Sequence, residues 1–345
     1  IIVAPMGVYP TMVQPNTNQQ DDLFRWGLST KSYPVRLLVP GEPRSLYDSE
    51  IIDILERRNV VIVPLRLNAS DLTADGWCDL FDADINKPLG ITLFRAVHHL
   101  HHQEKVFSIQ DIIRSVERDG KASDTSKEAL LNRLEAAQGW QIFAESDYTP
   151  IQELFRPGVI NVVDLSRLEP GPRGRRNLAV SVIARNLFRA RSDARLREEF
   201  GLATPMPRVW MLLDEAHQFV PSGSTTLSKE QLIRWAKEGR QPGLSLAVAS
   251  QQPSAIDPEV LSQCDMILSH KLTSREDVSA LNALSQDYMG SELRTFIKSL
   301  KRTGEAVLVD DELEAVYMLR IRPRRSQHGG GSLPTNEDDS FDVWQ

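Results

Sequence analysis

The nine residues Val209-Trp210-Met211-Leu212-Leu213-Asp214-Glu215-Ala216-His217 hold the sequence's most suggestive chemistry. The apolar run after Pro207 and Arg208 reads as a strand buried on both faces, with two adjacent carboxylates at its carboxyl end. Open α/β sheets bind their ligands at that edge. A carboxylate pair there suits phosphoryl transfer to water: the first acid, Asp214, holds a hydrated magnesium ion and the second, Glu215, takes a proton from the attacking water. An ordinary buried strand with a polar end looks the same in isolation, so the flanking elements carry the distinction.

Such a pair needs a parallel sheet, and the chain supplies candidate pieces in order. Residues 1–9 read as a strand and a turn at Pro5-Met6-Gly7, and residues 14–22 as a polar excursion. Residues 35–41 and 60–65 are β-rich runs closed by Pro or Gly. A short helix containing Trp77 covers 72–81, and from 85 to about 144 the apolar spacing turns helical through Leu93, Ala96, Val97, Leu100, Ile109, Ile112, Ile113, Val116, Leu130, Leu131 and Leu134. Residues 157–165 return to a strand, followed by a loop with Arg173, Arg175 and Arg176 and a helix over 178–191. With the strand at Val209 this predicts a right-handed βαβ unit.

Beyond Glu215 a polar loop, 221–228, precedes a helix over 229–238 and the turn Gly239-Arg240-Gln241-Pro242-Gly243. The strand 244–250 then ends in Gln251-Gln252-Pro253-Ser254, where Gln251, at the tip of a neighbouring strand, can reach a terminal phosphate. Residues 266–272, a helix over 276–284, and strands at 306–309 and 315–321 are expected to complete the same sheet. The basic stretch Arg322-Pro323-Arg324-Arg325 leads to His328-Gly329-Gly330 and an acidic tail expected to be disordered. The fold class is therefore α/β, a mostly parallel sheet interrupted by helices. The expected division is 1–84 for the first part of the core, 85–150 for a helical insertion, 151–322 for the remainder of the core, and 323–345 for the tail.

Two other constellations carry less. His98 and His102 stand one helical turn apart but have no acidic or Cys partner at matching local spacing, which favours a solvated or capping cluster over a metal site. Asp119-Gly120-Lys121-Ala122-Ser123 approaches a phosphate-binding loop, yet Ser115 stands where the first Gly belongs and Ala122 where the hydroxyl belongs, so a helix-helix turn explains it better. A net charge of -7 excludes a uniformly basic nucleic-acid binder but allows a local basic channel. Two cysteines, Cys78 and Cys264, exclude a disulfide scaffold and suit a reducing compartment; with no membrane-length apolar run, a cytoplasmic address is the default expectation. The chain opens inside an apolar strand without Met, so it is expected to be a fragment.

In this order the features resemble the HerA-FtsK superfamily of P-loop ATPases, of the HerA-like kind, over nearly the whole chain: Pro5-Met6-Gly7-Val8-Tyr9, Trp77 to Phe81, the helical block, the strand ending at Leu165, Leu213-Asp214-Glu215-Ala216-His217, Glu238-Gly239-Arg240, Ser250-Gln251-Gln252-Pro253-Ser254, Arg322-Pro323-Arg324 and His328-Gly329-Gly330. The resemblance implies a RecA-like core with Asp214-Glu215 as its Walker B acids: Asp214 on magnesium, Glu215 as general base, Gln251 as γ-phosphate sensor, and Arg240 as a finger or sensor at a subunit interface. It further implies ATP and Mg2+ as cofactors, double-stranded DNA as the substrate, a ring homo-oligomer, commonly a hexamer, and a nuclease partner in some members.

The sequence departs from the family twice. The family's Gly-rich phosphate loop belongs before the strand at Ile1, and no other segment supplies it; the first turn carries Ala4 and Val8 where the family often has acids. Two alternatives follow. A DEAH-box helicase reading of Asp214-Glu215-Ala216-His217 lacks its companion motifs, and a non-catalytic ATPase-like subunit would scaffold a DNA-processing or defence complex.

Overall fold

The computed structural model describes residues 1–103, 106–202, 205–284 and 292–330. The expected disordered tail therefore lies outside the described residues from position 331. In chain order the strands are β1 (Ile2–Ala4), β2 (Val35–Pro40), β3 (Val61–Leu65), β4 (Leu67–Asn68), β5 (Phe143–Ala144), β6 (Ile160–Asp164), β7 (Val209–Leu213), β8 (Leu244–Val248), β9 (Met266–Ser269), β10 (Glu305–Asp310) and β11 (Ala315–Arg320). Six of them form one sheet in the order β3-β2-β6-β1-β7-β8, and every pairing in it is parallel. Largely apolar runs such as Val35, Leu37, Leu38 and Val39, broken by the buried Arg36, form its middle because both faces there are covered.

The strands β6 and β7 are parallel but not neighbours: β1 lies between them, pairing Ile2 with Val162 on one side and with Leu212 on the other. Their connection, the helix Arg175–Glu199, runs further than the apolar spacing of residues 178–191 suggests, because its later turns are polar. It packs Leu178, Val182, Ile183 and Leu187 into the core, and its Ala184 carbonyl accepts the indole N–H of buried Trp235 at 2.8 Å.

The helices Pro88–Gln103, Ile109–Glu117 and Asp124–Gly139 pack together on the apolar positions read from the sequence, with Leu93, Val97, Ile112, Val116, Leu130 and Leu134 buried. Ser108 and Asp111 form a reciprocal capping box at the start of the second helix. Asp119-Gly120-Lys121 lies in the turn between the second and third helices. His98 and His102 rings meet edge to face, 4.5 Å between centroids, and among the described residues no group of three metal-binding side chains exists.

Residues 266–320 correct one expectation. They do not extend the parallel sheet; β11, β10 and β9 form a separate antiparallel one. The reason is the connection: β10 and β11 join through a four-residue turn with Glu314 at φ +49°, and a tight hairpin can only return antiparallel. Val307 and Val309 turn one face onto Val278, Leu281, Leu293 and Ile297 of the helices Arg275–Leu284 and Glu292–Ser299, giving this sheet its own core.

Gly90 makes the packing of the helical block testable. A Cβ there would stand 2.1 Å from the Asp84 carbonyl oxygen. Helix propensity alone makes Gly→Ala stabilising by about 1 kcal/mol, but the clash reverses the sign. Gly90→Ala is expected to lower unfolding stability by about 1–3 kcal/mol, measured by denaturant titration; a stabilised variant would contradict the close approach.

Candidate functional site

The carboxyl ends of β6, β1 and β7 meet at one edge. The Asp214 amide donates to the Val3 carbonyl at 3.2 Å and the Leu165 amide to the Ala4 carbonyl at 3.0 Å, so Asp164 and Asp214 flank the end of β1. The chain then turns at Gly7, φ +67°, where a Cβ would lie 3.0 Å from Ser166 Oγ; glycine is the residue that fits.

Glu215 adopts a left-handed conformation, φ +47° and ψ +50°, uncommon outside glycine and typical of strained functional positions. Its amide donates to Asp214 Oδ1 at 3.0 Å. Its carboxylate accepts Gln251 Nε2 at 2.9 Å and lies 3.5 Å from His217 Nδ1, which in turn meets Ser250 Oγ at 3.2 Å. The exits of β7 and β8 are held together by Ala249 N–H to Leu213 O and Ala216 N–H to Ala249 O, both 2.9 Å. Asp214, Glu215 and Gln251 are therefore brought together. Arg240 is not: it is exposed beside the start of β8, at the amino edge of the sheet.

Several residues of this edge had no role assigned from sequence. The half-buried Tyr9 hydroxyl faces Asp214, and burial first, then the charge of Asp214, pushes its pKa up, so it stays neutral. Tyr47 donates to Asp164, its pKa raised by burial and then by Asp164. Asp164 also accepts the Ser166 amide at 2.9 Å. Arg176 reaches Leu168 O at 2.8 Å and Gln218 Oε1 at 3.1 Å, tying the loop after β6 to the turn after Glu215. Asp164 was detectable by the rule that exposed Asp214, an acid ending an apolar strand. Tyr9, Tyr47 and His328 were not, because only the tertiary fold brings them near. Burial and Arg324 hold His328 below its usual pKa while Asp214 pulls it the other way.

The loop after the acids is pinned by Lys229. Its ammonium lies 2.6 Å from Asp257 Oδ2 and donates to the Pro221 and Ser224 carbonyls at 2.8 Å each. Burial alone would raise the Asp257 carboxyl; the Lys229 hydrogen bond and the Glu259 amide outweigh it and hold the group below its ordinary range. Stability from this pair is present above the unfolded pKa of about 4 and disappears as pH falls through the lower folded value. Lys229→Met is expected to melt earlier than the wild type at pH 7, with the gap closing in acid below about pH 4; a constant gap in thermal melts across that window would refute the linkage.

A parallel sheet with acids at the carboxyl end of a central strand, and a polar sensor on its neighbour, is the arrangement of RecA-like P-loop ATPases. The solved structure of VirB4 from Thermoanaerobacter pseudethanolicus has the same fold, with a TM-score of 0.51 over 93% of this chain and 88% of that one at 13% identity. No protein-family model matches the chain. A Methanocaldococcus jannaschii protein named as a probable helicase is 24% identical over 307 residues, 85% of this chain and 57% of its own length. The DNA double-strand break repair helicase HerA of Sulfurisphaera tokodaii is 24% identical over 294 residues, 80% of this chain and 56% of its own. The chain thus spans a little over half the length of these two relatives. The chain is thus similar in sequence to HerA-type helicases and shares the fold of a P-loop ATPase.

Proposed function

We propose that this chain is part of an ATP-driven motor that moves double-stranded DNA through a ring of subunits, commonly six, in some settings beside a nuclease. The observation that carries the reading is the hydrogen-bonded set Asp214, Glu215 and Gln251 at the carboxyl edge of neighbouring parallel strands. The donor set fits a magnesium ion, which binds through one or two carboxylates and keeps several waters. Asp214 would hold it, with Oδ1 accepting the Glu215 amide beside the neutral Tyr9 hydroxyl. ATP with magnesium supplies the transferable phosphoryl group and neutralises its charge.

Glu215 holds the proton-accepting oxygen, and its left-handed backbone directs the carboxylate toward Gln251 and His217. The Gln251 amide, bonded to Glu215, is placed to exchange that partner for a phosphate oxygen and so to report phosphate loss. Arg240, at the opposite edge, is proposed to act on the nucleotide of a neighbouring subunit, where such an arginine contributes about 10³ to 10⁵ in rate.

The phosphate loop is proposed to arrive on a further strand and helix beside β8. That strand ends the sheet order among the described residues, with Leu246 and Val248 only partly covered. On β7, Trp210 is 66% exposed, unusual for a strand inside a parallel sheet and suited to a covering helix. The non-catalytic alternative predicts no such partner.

Two measurements separate the readings. Glu215→Gln in the protein that includes the phosphate loop is expected to bind ATP and hydrolyse it at least about tenfold more slowly; wild-type turnover sinks the assignment. The 345-residue polypeptide alone is expected to show no useful hydrolysis, and a normal rate would falsify the claim that the phosphate loop lies elsewhere.

A further inference from the structure

The two basic stretches of the sequence have different fates in the fold. In the first, Arg173 pairs with Asp82 at 2.9 Å, Arg175 opens the helix Arg175–Glu199 and Arg176 is spent on the loop after β6. In the second, Arg325 turns inward to Ser29. The second stretch instead helps line a cavity of about 720 Å³ between residues 19–26, 303–304 and 320–324, whose lining includes Arg25, Arg320, Arg322 and Arg324. Its single lining acid, Asp22, is taken by Arg25 at 3.2 Å.

The other three guanidinium groups have no carboxylate within ion-pair distance among the described residues. Arg320 stands opposite Glu305 in the hairpin, but that carboxylate accepts the Lys301 and Arg302 amides at 2.8 and 2.9 Å. Arg322 reaches only the Pro323 carbonyl, at 2.9 Å. Among the described residues, a protein of net charge -7 thus gathers positive charge without close carboxylate partners in one concavity, where the low-dielectric walls focus its field.

The backbone presenting these arginines is fixed. Asn16 Nδ2 donates to the Arg324 carbonyl at 2.8 Å, the Asn16 amide to the Arg325 carbonyl at 3.0 Å, and the Gln327 amide to the Gln14 carbonyl at 2.8 Å. Preorganisation of this kind lowers the entropic cost of binding. Beside them Trp26 is 45% exposed and lines the cavity, with Ile321 and Pro323 completing its apolar part. Unpaired arginines next to an open indole face are the elements of a single-strand site, where phosphates meet cations and bases stack on aromatics. A duplex offers the phosphates but keeps its bases stacked inside.

We propose that this cavity binds a single nucleic-acid strand, with phosphates on Arg320, Arg322 and Arg324 and a base stacked on Trp26. The cavity adjoins the acid edge through Arg324 and His328, but strand binding there does not depend on whether the chain hydrolyses ATP. The test is fluorescence anisotropy of the full 345-residue chain with labelled oligothymidylate at low salt, with a blunt duplex of equal length in parallel. Trp26→Ala is expected to weaken strand binding about 5- to 150-fold, with Trp26→Phe retaining most of it. Arg322→Glu with Arg324→Glu is expected to flatten the slope of log affinity against log salt by about 1.4.

Cross-linking of the unaltered protein with a 5-iodouracil oligonucleotide gives a readout independent of variant folding, and the labelled peptides are expected to contain Trp26 or residues 320–324. Unchanged affinity and salt slope in the variants, duplex binding as tight as strand binding without dependence on Trp26, or cross-links confined to other peptides would each overturn the proposal.

Discussion

The insertion of β1 between β6 and β7 is the constraint on which the site depends. At its carboxyl end β1 finishes beside both neighbours, Ala4 opposite Asp164 and Val3 opposite Leu213, and the amides of Leu165 and Asp214 close onto the Ala4 and Val3 carbonyls. Two strands that end in aspartate are thereby aligned at the lip of one turn. Each acid then meets a phenol from a different part of the chain, Tyr9 at Asp214 and Tyr47 at Asp164. Both phenols are shifted upward by burial and by the acid they face, so they remain neutral wherever the carboxylates are charged.

The second aspect of the site is strain held by pairing. A glutamate in the left-handed region costs about 1–3 kcal/mol, and it persists because the exits of β7 and β8 are stitched on both sides of it by the Ala249 and Ala216 amides. Without that stitching Glu215 would relax toward ordinary backbone angles, and its carboxylate would lose Gln251. The geometry of the base is therefore a property of two adjacent strands rather than of the acid motif alone.

This explains which parts were legible in the sequence. Mostly apolar runs announce strands and the helical block shows by its spacing, so β2, β6, β7, β8 and the three helices could be read directly, but β7, expected to be buried on both faces, leaves Trp210 66% exposed. The pairing of β8 with β7, which places Gln251 at Glu215, also followed from reading those two runs as neighbours. Strand order did not follow. Nothing in residues 1–4 tells that they split β6 from β7, and so the roles of Tyr9 and Tyr47 stayed hidden. The strands after residue 265 were recognisable as strands, but their membership in a second sheet depends on a hairpin turn and on helices that give them a separate core.

The position of Arg240 sets a condition on the proposed mechanism. Along β8 the chain runs from the turn holding Arg240 to the tip holding Gln251, five strand residues or about 16 Å apart at the rise of a β-strand. The parallel direction of β7 puts Asp214 and Glu215 at the Gln251 end. An arginine side chain does not cover that span through the sheet, so Arg240 cannot meet charge developing beside the acids of its own chain. The proposed finger role therefore requires a second subunit whose amino edge faces this carboxyl edge. A head-to-tail contact of that kind joins two different surfaces, and repeated with a closing rotation it generates a ring rather than a two-fold dimer.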